Sequence, residues 1–209
     1  MSVDRAVLFR LATSDRFERV VRAAPTGEQR AWRAASRYVA GTSFADAAGT
    51  ARRLAQRGVG SSIDLFGESV QDSLAAEQVA EEYRTLAREL GSLPESVWLS
   101  VDLSHLGLDT RPLRCREHLT AIAAALPPGR RIQVGAEDYA RADAVLDCVL
   151  GTAAEGLVDQ LGATVQANFH RSPTDLERLL EAGVHVRLVK GAYLKPANRA
   201  LPYGEPTDI

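Results

Sequence analysis

The segment Val184–Tyr193, VHVRLVKGAY, gathers residue types suited to holding an electron-rich ligand. Strand alternation puts Val184, Val186, Leu188 and Lys190 on one face and His185, Arg187 and Val189 on the other. Arg187 is thereby expected inside a sheet, where a guanidinium requires an anion or several acceptors. Two kinds of partner are open to it: a carboxylate on a neighbouring strand (Asp64, Asp102 or Glu137), or an electron-rich ligand. Lys190 can neutralise a phosphate, and Gly191 lets a backbone N–H approach a ligand closely. Of 25 basic residues only Lys190 and Lys195 are lysines, so a lysine here is suspected of a task arginine cannot perform. A strand-end lysine among apolar residues could also serve as a Schiff-base nucleophile, as in a barrel lyase.

The elements that must position these groups fall into two parts. Residues 1–60 read as a helical segment. Val7, Leu8, Leu11, Phe17, Val20 and Val21 recur at helical spacing until Pro25-Thr-Gly27. Trp32, Ala35, Tyr38 and Val39 make a second helix, and Ser43 caps a third from Phe44 to Arg57, ended by Gly58. Residues 61–209 then alternate strand and helix. The strands are expected at Ser61–Phe66, Val97–Leu103, Arg131–Ala136, Ala163–Phe169 and Val184–Lys190. The helices run from about Val70 to Leu90, from Arg111-Pro112 to Leu126, from Tyr139 to Leu150 with a short one to Leu161, and from Ser172-Pro173, with Ser172 as cap, to Gly183.

This alternation means parallel strands with crossover helices. A doubly wound sheet would want a Gly-rich turn after the first strand, but Phe66-Gly67-Glu68-Ser69 has one glycine. Polar residues instead mark several strand ends: Asp64, Asp102, Glu137, Gln166, Arg187 and Lys190. That distribution favours an α/β fold of (β/α)₈ TIM-barrel type, here incomplete, since about five strands are found where a closed barrel needs eight. An unpaired edge at the fifth strand would then invite self-association.

Bulk composition excludes other classes. The chain has 209 residues, 45% hydrophobic and 25% charged, with a net charge of −2, which gives no basic surface for nucleic acid. No apolar run nears the roughly 20 residues of a membrane span. Met1 to Arg10 carries Asp4 and no signal-peptide pattern. Cys115 and Cys148 are too few and too far apart in sequence for a disulfide framework or a zinc site. A cytoplasmic setting follows. His105 and His118 are expected at the surface or in helix packing.

The sequence Arg-Leu-Val-Lys-Gly-Ala-Tyr at the end of a strand resembles the fifth-strand signature of the proline dehydrogenase family. Ile63-Asp-Leu-Phe-Gly-Glu68, Leu99-Ser-Val-Asp-Leu-Ser-His-Leu-Gly107, Gly135-Ala-Glu-Asp138 and Thr164-Val-Gln-Ala167 resemble its first four strands, in order. The resemblance implies a flavoprotein that binds FAD at the C-terminal face of a barrel. It implies oxidation of L-proline to 1-pyrroline-5-carboxylate with electrons passed to a quinone, and with that peripheral contact with the inner face of a membrane. Ala136, Gln166, Arg187, Lys190, Gly191 and Ala192 fall at cofactor-binding positions. Arg187 would stabilise charge at the flavin N5 edge, and Tyr193 would line the substrate pocket with Asp102. Two positions depart from the family. Asp102 stands where it has a lysine that holds the substrate carboxylate, and Gly135 where it has an aspartate, unless Glu137 or Asp138 supplies that group. The family's arginine pair for the carboxylate belongs to later strands, so the chain is expected to be the first part of a longer enzyme. A flavin-binding relative with another substrate, or with no activity, is the alternative.

Overall fold

The computed structural model describes residues 39–191 together with 26, 27, 29, 30, 33 and 36. Of the residues on which the first two expected helices rest, all but Val39 lie outside the described residues, as do Ala192, Tyr193 and Lys195, and Val39 itself is not helical. The chain divides into two compact units, 1–50 and 51–209, and every strand belongs to the second.

Helix α1 is Phe44–Gln56. It starts where expected: the Asp46 N–H donates to Ser43 Oγ at 3.3 Å, and the Ser43 hydroxyl donates back to Asp46 Oδ2 at 2.7 Å. Four βα steps and a fifth strand follow: β1 Ser61–Ile63, α2 Ser73–Glu89, β2 Val97–Val101, α3 Pro112–Ala124, β3 Ile132–Val134, α4 Ala142–Thr152, β4 Leu161–Gln166, α5 Ser172–Glu181 and β5 His185–Val189. All neighbouring strands pair in parallel, in the order β1-β2-β3-β4-β5. With right-handed crossovers, an order that never reverses puts every helix on one face. This is the arrangement of a barrel wall, whereas a doubly wound sheet reverses direction. Among the described residues β1 and β5 are the two edges.

The register sorts the side chains. Leu99, Val101, Ile132, Val134, Leu161, Ala163 and Val165 face the helices and are buried. They meet the inner stripes of the helices: Ala76, Ala80, Tyr83 and Ala87 of α2, Cys115, Leu119, Ile122 and Ala123 of α3, and Leu146 and Val149 of α4. Each fully buried aliphatic side chain contributes about 1.5–3 kcal/mol. The opposite, inner face carries Trp98, Ser100 and Asp102, then Gln133 and Gly135, then Gly162, Thr164 and Gln166, then His185, Arg187 and Val189. Most of that face is polar.

Several boundaries differ from expectation. β1 stops at Ile63, and Phe66 is almost wholly exposed, because an edge strand has a partner on one side only to hold it in line. β4 begins at Leu161, two residues early, and includes Gly162. That glycine is a packing residue and not a turn: a Cβ on it would lie 2.7 Å from Gln133 Oε1. The true helix stop before β4 is Gly156, whose φ of 85° is left-handed. Residues 167–169, expected in the strand, form a turn closed by the Phe169 N–H on the Gln166 carbonyl at 3.3 Å. Ser172 is the first residue of α5 and not its cap; its hydroxyl donates to the Gln166 carbonyl at 2.5 Å. No helix among the described residues is long and apolar enough to cross a membrane.

The entry to β2 depends on one buried cation. Arg130 donates to the carbonyls of Pro94 at 2.6 Å and Val97 at 3.0 Å, and also to that of Leu93. Arg130→Met removes the donors and leaves buried acceptors unsatisfied. Urea denaturation is expected to show a loss of about 2–4 kcal/mol.

Candidate functional site

The C-terminal ends of the strands bring the singled-out residues to one rim. Asp102 follows β2 directly and is partly buried. Gly135 follows β3, is buried, and donates its N–H to the Val101 carbonyl at 2.9 Å. A Cβ on Gly135 would lie 1.7 Å from Asp102 Oδ1, so the carboxylate of one strand fills the space that the next strand leaves empty. Among the described residues, no hydrogen-bond donor reaches the Asp102 carboxylate. Burial pushes its pKa up to about 6, and Asp64 and Glu68 add to the rise.

Neither nearby acid on β3's extension takes the place of a carboxylate at 135. Glu137 is buried, and its Oε1 accepts the Ser104 N–H at 2.8 Å. Its other oxygen lies 3.5 Å from the Arg141 guanidinium. Asp138 caps the following turn, accepting the Ala140 N–H at 2.8 Å. Both are committed to local structure. Asp64, at the end of β1, accepts the Tyr83 hydroxyl at 2.7 Å. Partial loss of water raises its pKa, and the tyrosine bond opposes that rise.

On the other side of the rim, Arg187 is exposed, against the expectation of burial. The reason is that β5 is an edge strand: Leu188, on the opposite face, is also open, at 62%. Arg187 donates its Nε–H to Thr164 Oγ1 at 3.2 Å, and no ion pair within 4 Å joins it to Asp64, Asp102 or Glu137. The carboxylate partners proposed for it are therefore excluded among the described residues. Gln166 is buried, and its amide donates to the Glu137 carbonyl at 2.8 Å, which ties β4 to the extension of β3. Ala136 lies between Gly135 and Glu137 and lines a small cleft of about 50 Å³, partly open to solvent, between the sheet and helices α4 and α5. Lys190 is exposed, whereas a Schiff-base lysine would have to be desolvated. Gly191 is buried with φ of 97°, and a Cβ there would lie 2.1 Å from Asn168 Oδ1, a buried oxygen without a hydrogen-bond donor.

The rim is held by a residue that sequence reasoning passed over. Arg141 forms a two-pronged pair with Asp109, at 2.7 and 2.8 Å, and also donates to Asp138 at 2.9 Å and to Ser69 Oγ at 3.2 Å. It thus joins the loops after β1, β2 and β3. Its partner Asp109 lies 32 positions away, so no local spacing announces the pair. Tyr83 and Asn168 were likewise missed. Tyr83 reads as one more residue on the buried stripe of α2, and Asn168 as part of a strand. His105 and His118 are both buried and pack against helices. His105 meets Tyr83 edge-on at 6.0 Å, and His118 lies 3.7 Å from Glu77.

The raised pKa of Asp102 has a measurable sign. The folded chain favours the neutral acid, so the penalty is absent below the ordinary value of 3.8, grows as pH rises through about 6, and is constant above. Asp102→Asn is therefore expected to stabilise the fold at about pH 8, by roughly 1–2 kcal/mol after allowance for solvent access, and hardly at all near pH 4. Thermal unfolding at the two pH values checks this; equal shifts at both would remove the electrostatic account.

Comparison with known proteins agrees with this geometry. The sequence profile of the family described as proline dehydrogenase matches residues 47–200. Proline dehydrogenase 1 of Bacillus subtilis is 31% identical over 176 residues, which cover 84% of this chain and 58% of that protein. The proline dehydrogenase of Deinococcus radiodurans is 28% identical over 178 residues, 83% of this chain and 57% of that one. The chain thus spans somewhat under three fifths of these relatives. Among solved structures, proline utilization A (PutA) of Bdellovibrio bacteriovorus, inactivated by N-propargylglycine, matches with a TM-score of 0.66 at 18% identity, covering 79% of this chain and 21% of that one. A PutA of Bradyrhizobium japonicum matches with a TM-score of 0.62 at 20% identity, covering 79% and 19%. These two likenesses speak for the fold, and the profile and the curated relatives speak for the family: the chain belongs to the proline dehydrogenase family.

Proposed function

We propose that this chain is the flavin-binding part of an FAD-dependent, proline dehydrogenase-like oxidoreductase. It oxidises L-proline, or an analogue, at the ring C–N bond (to 1-pyrroline-5-carboxylate in the case of proline) and passes the electrons to a quinone, with peripheral membrane contact where the quinone resides. The observation that carries the reading is the end of β5. There Arg187 presents a cation, unpaired with Asp64, Asp102 and Glu137, on the inner face, and the Asn168 amide, which fills the space left by Gly191, holds a buried oxygen that no donor among the described residues reaches. A flavin offers what these residues lack: an electron-rich edge for the guanidinium and an N–H for the amide oxygen. The residues present fit the group.

In this reading Arg187, Lys190 and Gly191 hold the cofactor, with Gln166, Ala136 and Ala192 beside them. Tyr193 lines the substrate pocket with Asp102. When bound, FAD supplies the two-electron acceptor for amine oxidation. Arg187 supplies fixed positive charge where negative charge develops, and the Thr164 hydroxyl holds its Nε in place, so that little reorganisation is needed during reaction. Lys190, exposed at the strand end, can neutralise a phosphate of the cofactor. Gly191, having no Cβ, lets the Asn168 amide lie against the backbone at the strand end.

Titration of the purified chain with FAD, followed by absorbance near ~450 nm and by flavin fluorescence, tests the reading. Saturable uptake is expected. Arg187→Ala, at an exposed position, should weaken it about tenfold while leaving the unfolding temperature unchanged. A well-folded chain that takes up no FAD overturns the assignment.

A further inference from the structure

We infer that Asp102, seated over Gly135, is a specificity-determining residue that receives the positive charge of the substrate amine and turns a carboxylate away from the rim between β2 and β3. The substrate class that fits is a cyclic secondary amine without a carboxylate at that place. The inference rests on the flavoenzyme reading above and names the substrate that reading leaves open.

Three observations carry it. First, Asp102 and Gly135 are shaped to each other: any Cβ at 135 would press on Asp102 Oδ1, 1.7 Å away, so the glycine is what allows the carboxylate to lie there. Second, Asp64 and Glu137 are occupied and Asp102 is not, while Glu68 is exposed to solvent. Asp64 accepts from Tyr83, and Glu137 accepts from Ser104 and faces Arg141, but no donor among the described residues reaches Asp102. A partly buried carboxylate left without a donor is a standing cost, and a cationic ligand removes it. Third, the surrounding charge has one sign. Asp64 and Glu68 act on Asp102, and Asp102 acts on Glu137. Arg141 is taken up by Glu137, Asp109 and Asp138, and the cation that acts on Asp102 is Arg187, three strands away at the edge of the sheet. A carboxylate brought to this spot would meet like charge in a poorly solvated place, whereas an ammonium would complete it. Gly135 is a positioning residue in this scheme.

The test uses two five-membered rings of opposite charge, pyrrolidine and cyclopentanecarboxylate, bound to the FAD-loaded chain at about pH 8 and followed by NMR shift perturbation. Pyrrolidine is expected to bind at least about tenfold more tightly. Asp102→Asn should abolish the preference and Asp102→Lys should reverse it. Gly135→Ala should reduce it through displacement of the carboxylate while the unfolding temperature stays close to that of the parent. The preference should also fade as pH is lowered through about 6, as Asp102 gains a proton. Equal binding of the two rings, binding of neither, or an unchanged preference in Asp102→Asn overturns the inference. Failure to take up FAD instead counts against the flavoenzyme reading, and the same ring titration on the flavin-free chain still decides the role of Asp102.

Discussion

A side chain at the end of one strand occupies the space that a glycine on the next strand leaves open. Gln133 of β3 lies against Gly162 of β4, Asp102 after β2 lies against Gly135 after β3, and Asn168 after β4 lies against Gly191 after β5. Each contact is too close for a Cβ. The inner face of a curved parallel sheet is crowded, because alternate residues of every strand converge on it. Here the crowding is relieved by pairing a long polar side chain with a missing one. The positions of the polar groups along the rim follow from these fits, and so does the chemistry the rim can do.

The loops above the sheet obey a second, electrostatic constraint. Arg141 gathers Asp109, Asp138 and Ser69, and the buried Glu137 takes the Ser104 N–H. Charged hydrogen bonds of this kind fix loops that apolar packing alone would leave loose. They also consume the acids next to Asp102. The result is a rim with two unlike ends. At β4 and β5 it presents Arg187, a buried acceptor and a glycine, the fittings for a flavin in the proposed function. At β1 to β3 it is acidic, and one partly buried acid, Asp102, has no donor among the described residues. The residues at 102 and 135 thus form one fit in this chain, since a side chain at 135 would collide with the carboxylate at 102.

Much of this was legible in the sequence. The order of five strands and five helices follows from apolar periodicity and from turn residues, which are local. The five short motifs, in order, pointed to the family before any contact was known. Alternation also assigned Arg187 to the correct face, and strand-end position marked Asp102, Gln166 and Gly191 as candidates. The readings of element order, of face and of family succeed because period, spacing and chain order are properties of a single segment.

What only the tertiary structure decided concerns pairs of segments. Alternation could give Arg187 its face but not its burial, which depends on β5 being an edge. The fit of Gly162 could not be read locally, because the Gln133 side chain that demands it belongs to another strand. Arg141 was invisible as a hub because its two-pronged partner is far away in sequence. Asp102 and Gly135 read as two separate losses, and contact shows them to be one fit. The sequence by itself determined which residues reach the rim and in what order. Their burial, their partners and their spare charge were set by register between strands, which no single segment encodes.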